Sequence, residues 1–182
     1  KYAGLEEATA LVSAAAAKVN IPVALHLDHG TSYEQNVQCL RAGFTSLMYD
    51  GSKEPFGENI RNSEEICRMA HACGLPVECE LGLIPKIEDY LTEEQMAPCR
   101  SGEVECVLDL LSEDEVKKLY EHSTNPDLAL EFKERTGCDS MAVAIGAIHG
   151  MTGRGSRLDF ELLQRLMDKV GLPFVLHAAS GI

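Results

Sequence analysis

Residues 23–30 read VALHLDHG, so a run of apolar residues closes on His26, Asp28 and His29. Imidazole nitrogens and carboxylate oxygens at the tip of a strand suit two kinds of work, holding a metal ion and moving a proton. The chain has six histidines, at positions 26, 29, 71, 122, 149 and 177. Of these, His29, His149 and His177 each follow a short apolar run. A catalytic zinc commonly takes three protein ligands, often imidazoles, and keeps a further position open. These three histidines are therefore the candidate metal ligands.

Alternate residues of a strand share a face, so Ala24, His26 and Asp28 point one way and Leu25 and Leu27 the other. With the leucines against a layer of helices, His26 and Asp28 face an interior and His29 lies at its lip. The expected role of His26 is that of a hydrogen-bonded core histidine. In VECEL, Glu78 and Glu80 share a face, and a buried carboxylate needs a partner. Glu78 is expected to pair with a cation, or else to join the surroundings of the metal. His71 falls in a helix pattern and reads as structural, and His122 at a helix end reads as solvated.

The elements that must position these groups alternate. Apolar runs of strand length lie at roughly 21–27, 44–49, 75–81, 140–148 and 172–176. Between them come the helix patterns SYEQNVQCLRAG, SEEICRMAHACG, NPDLALEFKERTG and LDFELLQRLMDKVG, each ending in Gly. Such alternation predicts a parallel sheet with right-handed crossovers. No glycine-rich nucleotide loop follows any strand, which removes the best support for a doubly wound sheet. Asp28 and His29, Asp50, Glu80, His149 and His177 all fall at or just past strand ends. Chemistry gathered at the C-terminal ends of the strands is the mark of a (β/α)8, or TIM, barrel, and that is the predicted fold.

The chain has 182 residues, 45% of them apolar. That suits a single barrel domain over residues 1–182 with a real core. A complete barrel needs about 250 residues, and the chain begins without Met inside a helix pattern and stops just past a strand. The expectation is a domain incomplete at both ends. No apolar run approaches the roughly 20 residues that span a bilayer, and the acidic, amphipathic start is unlike a secretory signal. A soluble, cytoplasmic protein is predicted. The cysteines at 39, 67, 73, 79, 99, 106 and 138 form no CxxC pair, so reduced and mostly buried thiols are expected. A net charge of −13 argues against nucleic acid or an anionic membrane as partner. Any phosphate must be met by local positive potential.

The segments HLDHG, AGFTSLMYDGS, ENI, VECELG, AVAIGAIHG and LHAASGI occur in this order over nearly the whole chain. Together they resemble the class II, zinc-dependent fructose-bisphosphate aldolases, tagatose-bisphosphate members included. In that pattern they correspond to about strands three to seven of the barrel. The resemblance implies that His29, His149 and His177 bind Zn2+, with Asp50 and Glu80 as secondary metal surroundings. It further implies that Asp28 exchanges a proton with the substrate hydroxyl, and that Glu88 moves the proton at the nucleophilic carbon. Gly150, Ser180 and Gly181 match positions that hold a phosphate and a monovalent cation, Na+ or K+.

The activity so implied is reversible cleavage of a phosphorylated ketose, fructose 1,6-bisphosphate or tagatose 1,6-bisphosphate, to dihydroxyacetone phosphate and an aldehyde such as glyceraldehyde 3-phosphate. A homo-oligomer, dimer or tetramer, is implied as well. Physical chemistry suits these roles, because cleavage leaves an enediolate that a Lewis-acidic zinc stabilises. The alternative imine route needs an inward lysine, yet only Lys53 and Lys86 lie outside helix patterns, and both fall in loops. Two other readings stay open: a family member with another sugar phosphate or no aldol activity, and a metal-assisted hydrolase.

This chain departs from the family pattern at several points. Ala178 and Ala179 replace a glycine pair, and alanine would strain or reshape a loop built on glycine backbone angles. Pro85 and Lys86 replace the glycines before Glu88, and Arg154 or Arg157 stands in for a phosphate-facing lysine. Residues 88–125 read as an insertion or mobile loop with its own helix pattern, SEDEVKKLYEHS.

Overall fold

A computed structural model describes residues 4–150 and 157–179. The chain divides into two compact units, Lys1–Glu80 with Phe132–Met141, and Leu81–Glu131 with Ala142–Ile182. Its helices and strands are, in order, α1 (Leu5–Ala16), α2 (Tyr33–Ala42), β1 (Leu47–Tyr49), α3 (Phe56–Ala72), β2 (Val77–Leu81), α4 (Glu93–Ser101), α5 (Glu113–Tyr120), α6 (Pro126–Thr136), β3 (Ser140–Val143), α7 (Phe160–Val170) and β4 (Phe174–Val175), so each strand is separated from the next by at least one helix. The sheet order is β1-β2-β3-β4, the sequential order of a parallel (β/α) arrangement. No helix among the described residues is long and apolar enough to cross a membrane.

In the first unit β1 and β2 run parallel, with Leu47 beside Val77, Met48 beside Glu78 and Tyr49 beside Cys79. Every residue of β2 is buried, the condition of a strand covered on both faces. Cys79 meets Cys67 of α3, sulfur to sulfur 4.0 Å, so the cysteine side of the strand packs on the helix. Ile60, Ile66 and Ala70 complete that buried face of α3. Ser32 caps α2 through its hydroxyl, which accepts the Gln35 amide at 3.1 Å, and Gly43 ends the helix at φ +97.

Two elements of this unit differ from the sequence expectation. Helix α3 starts at Phe56 rather than near Ser63. Its first turns carry a buried polar chain beside Ile60, with Ser63 donating to Asn59 Oδ1 at 3.0 Å and Asn59 donating to the Glu80 carbonyl at 3.0 Å. Hydrophobic periodicity cannot register such a face. The strand expected over 21–27 reduces to a single bridge, His26 to Ser46. Main-chain bonds begin only at Leu25, while Ile21 and Val23 remain exposed. Among the described residues, 21–24 have no ladder partner.

The second unit holds the segment 88–125, which folds around a small core of its own. Ile87, Leu91, Met96, Val107, Leu108, Leu119 and Ile148 form that cluster. Helices α4 and α5 each start with a reciprocal capping box, Thr92 with Gln95 and Ser112 with Glu115. The strand expected over 140–148 ends at Val143. Beyond it Gly146 turns the chain at φ +105, where a β-carbon would stand 2.3 Å from the Arg157 carbonyl, so no side chain fits.

Thr124 fastens the start of this unit. Its buried hydroxyl donates to the Leu81 carbonyl at 2.5 Å and accepts the Ala144 amide at 2.8 Å. Thr124→Val removes both bonds and leaves two buried backbone groups without partners. We expect a loss of about 2–3 kcal/mol in the free energy of denaturant unfolding.

Candidate metal centre

The first unit brings His29, Asp50 and Glu80 together. The segment 25–30 runs beside 45–50, with the Leu27 amide on the Ser46 carbonyl at 3.1 Å and the Asp50 amide on the Gly30 carbonyl at 2.8 Å. His29 has φ +52, an uncommon conformation for a non-glycine residue and one that concentrates at functional sites. Gly30 behind it is compressed, since a β-carbon there would lie 2.4 Å from the Met48 carbonyl. Asp50 follows β1 directly and Glu80 is the next-to-last residue of β2.

His29 Nδ1 lies 2.9 Å from Asp50 Oδ2 and 3.6 Å from Glu80 Oε2. One ligand atom from each of the three residues falls within 4.8 Å of the others. The second oxygen of Asp50 accepts the Ser52 hydroxyl at 2.6 Å and the Ser52 amide at 3.1 Å. Because a carboxylate only accepts, the neutral His29 ring donates through Nδ1 and keeps its Nε2 lone pair. Asp28 Oδ1 is 3.9 Å from that Nε2, and its side chain is 70% exposed.

These contacts displace both titrations. The hydrogen bond to Asp50 raises the His29 pKa above its ordinary 6.5, overcoming burial, and the charges of Glu80 and Asp28 add to the rise. For Asp50 burial pulls upward, but the bonds from His29 and Ser52 outweigh it and hold the carboxyl at about 2. In the metal-free protein, His29 contributes stability that is fully present below pH 6.5 and lost as pH rises through its raised folded value. Asp50 contributes stability present above its ordinary 3.8 and lost as pH falls towards about 2. The two coexist between pH 3.8 and 6.5. Asp50→Asn is expected to lower the metal-free melting temperature most within that window, and less as pH rises beyond it. Thermal melts across a pH series check this.

Beneath the centre, His26 Nδ1 is 2.9 Å from Ser46 Oγ and His26 Nε2 is 3.6 Å from Glu78 Oε2. The buried Glu78 thus meets a histidine. His71 contacts Asp139 at 2.8 Å on an exposed surface. The cysteines are free thiols; Cys39, Cys67, Cys79 and Cys138 are buried and Cys73 is exposed.

In the second unit, His149 is held by main-chain bonds to the segment 85–87. Its amide donates to the Pro85 carbonyl at 2.9 Å, and its carbonyl accepts the Ile87 amide at 3.0 Å. Gly150 follows at φ +81. Glu88 sits exposed in a 3-10 turn, Ile87–Asp89, and Lys86 forms a single bridge with His149. His149 stands six positions beyond the end of β3, not at its tip, because the chain turns at Gly146. His177 comes two residues after β4 and is half-buried. Arg157 is exposed and lies 3.7 Å from Asp109. Arg154, Ser180 and Gly181 lie outside the described residues.

Ala178 has φ +59, the left-handed region that disfavours a side chain. The alanine in place of a family glycine therefore adopts a glycine-like backbone. Ala178→Gly is expected to raise unfolding stability by up to about 1 kcal/mol, the relief of left-handed strain less the entropy glycine adds to the unfolded chain. Denaturant titration measures it.

Sequence reasoning passed over Ser52. The signal was present in the run Asp50-Gly51-Ser52 after a strand, where an aspartate accepts the amide two residues on in an Asx-turn.

The family model described as fructose-bisphosphate aldolase class-II matches residues 1–182. Among solved structures, the chain is similar to the YdjI aldolase from Escherichia coli K12, with 36% identity and a TM-score of 0.74 over 100% of this chain and 54% of that one. It is also similar in fold to a fructose-bisphosphate aldolase from Campylobacter jejuni, with 23% identity and a TM-score of 0.62 over 97% of this chain and 50% of that one. The chain thus spans about half the length of these proteins. Matched over its whole length and built from strands and helices in the same parallel α/β fold, part of a TIM barrel, it belongs to the class II fructose-bisphosphate aldolase family.

Proposed function

We propose that this chain carries the metal-binding and proton-transfer groups of an aldolase that reversibly cleaves fructose 1,6-bisphosphate or tagatose 1,6-bisphosphate. The products are dihydroxyacetone phosphate and an aldehyde such as glyceraldehyde 3-phosphate. The observation that carries this reading is the meeting of His29, Asp50 and Glu80 at strand ends in a chain of this family.

The donor set fits a divalent ion of the zinc type. One imidazole faces the Asp28 carboxylate through Nε2, and the buried Glu80 carboxylate lies beside its other nitrogen. His29, His149 and His177 would hold the ion, with Asp50 and Glu80 around it. When bound, it supplies Lewis-acid stabilisation of the negative charge that develops on the ketose oxygens.

Proton movements belong to this chain's own residues. Asp28, exposed beside His29, takes the proton of the substrate hydroxyl as the carbon–carbon bond breaks and returns it in condensation. Glu88 delivers the proton to the carbon that bore the negative charge. Gly150, Ser180 and Gly181 hold the substrate phosphate and a monovalent cation through main-chain amides and carbonyls, and the protein works as a homo-oligomer.

The test is a coupled assay of dihydroxyacetone phosphate release from each bisphosphate, before and after chelation. Cleavage that chelation abolishes and zinc restores is the expected result. Cleavage indifferent to chelation, or none of either substrate by folded, zinc-supplied protein, overturns the proposal.

A further inference from the structure

We infer that Ser52 is a positioning residue for the metal site: it locks the carboxylate of Asp50 so that Asp50 in turn fixes the ring of His29. The inference rests on the metal reading above and adds a residue to it.

The contacts at Asp50 divide cleanly between its two oxygens. Oδ1 receives both the hydroxyl and the amide of Ser52, at 2.6 and 3.1 Å. Oδ2 is left to His29 Nδ1 at 2.9 Å. Rotation of a carboxylate about its terminal torsion is soft, so a single contact to the imidazole would leave that ring free to swing. Two donors on the opposite oxygen remove the freedom. The ring is then held in one tautomer, with Nε2 presented, which is how a carboxylate behind a ligating histidine sets its orientation and basicity.

Ser52 is itself held. A β-carbon on Gly51 would approach Asn59 Oδ1 to 2.4 Å, so the turn is pressed against α3. Two residues on, the Glu54 amide donates to the Gly51 carbonyl at 2.9 Å. The Glu54 carboxylate accepts from Tyr49 Oη at 2.8 Å and from Asn62 Nδ2 at 3.2 and 3.0 Å. The turn from Asp50 to Pro55 is thereby tied at both ends, and Ser52 has a fixed place from which to hold Asp50.

The experiment compares the wild-type chain with Ser52→Ala and Ser52→Thr. Zinc affinity is measured by competition with a chromophoric chelator, and the ring-nitrogen NMR spectrum of His29 is recorded in the metal-free proteins, with circular dichroism as the folding control. Ser52→Ala is expected to bind zinc about 10-fold more weakly and to show mixed His29 tautomers. Ser52→Thr, which keeps the hydroxyl, is expected to retain wild-type affinity and the Nδ1-protonated tautomer. Equal affinity and equal spectra in all three proteins overturn the inference, as does an equal loss in both variants. A folded wild type that takes no zinc overturns the metal reading instead. In that case the nitrogen spectra alone decide whether Ser52 sets the ring.

Discussion

Replacing His29 with alanine is expected to weaken zinc binding by about 100-fold or more, beyond the loss that follows removal of a supporting partner, and to abolish chelator-sensitive cleavage. The substitution removes the imidazole on which both carboxylates converge. Asp50 and Glu80 are then left within 4.8 Å of each other, Glu80 fully buried and with less positive charge nearby. Two such carboxylates repel, and one is driven to hold a proton, which makes the remainder a poorer cation site still. His71→Ala is the matching control, because it removes an exposed ring paired with Asp139 and leaves the centre untouched. Zinc content after dialysis is the measurement. A folded His29→Ala protein that keeps zinc at wild-type affinity removes His29 from the ligand set.

Much of this arrangement was legible because it follows from patterns that a one-dimensional reading can register. Helix α2 announced itself through Ser32 at its start and Gly43 at its end, and α7 through Asp159 and Gly171. Asp50 and Glu80 stood out as acids at the close of apolar runs, and the structure sets them against His29. What escaped was made of polar contacts between distant segments. The first turns of α3 are specified by Asn59 bonding to the Glu80 carbonyl, and Thr124 joins Leu81 to Ala144. Neither bond leaves a periodic trace in the sequence. Strand ends failed for a related reason. IPVALHL and SMAVAIGAI have strand composition throughout, yet pairing depends on what lies alongside, and it starts at Leu25 in one and stops at Val143 in the other.

Asp28→Asn is expected to lower kcat by about 10²–10⁴-fold, the usual contribution of a positioned acid or base, with zinc content unchanged. The amide has the shape of the carboxylate but cannot take the hydroxyl proton. Since the Asp28 side chain is 70% exposed, the substitution carries no burial penalty, and folding should survive it. A loss of activity through zinc release is separated from a loss of proton transfer by measuring both on the same sample. The same variant distinguishes Asp28 from Glu88. If Glu88 moves the proton at the nucleophilic carbon, exchange of that hydrogen in dihydroxyacetone phosphate with solvent continues in Asp28→Asn while cleavage fails. Glu88→Gln should show the reverse order of damage, losing exchange first. Loss of exchange and cleavage together in Asp28→Asn, with zinc still bound, would assign both proton transfers to the carboxylate beside His29 and leave Glu88 without a catalytic part.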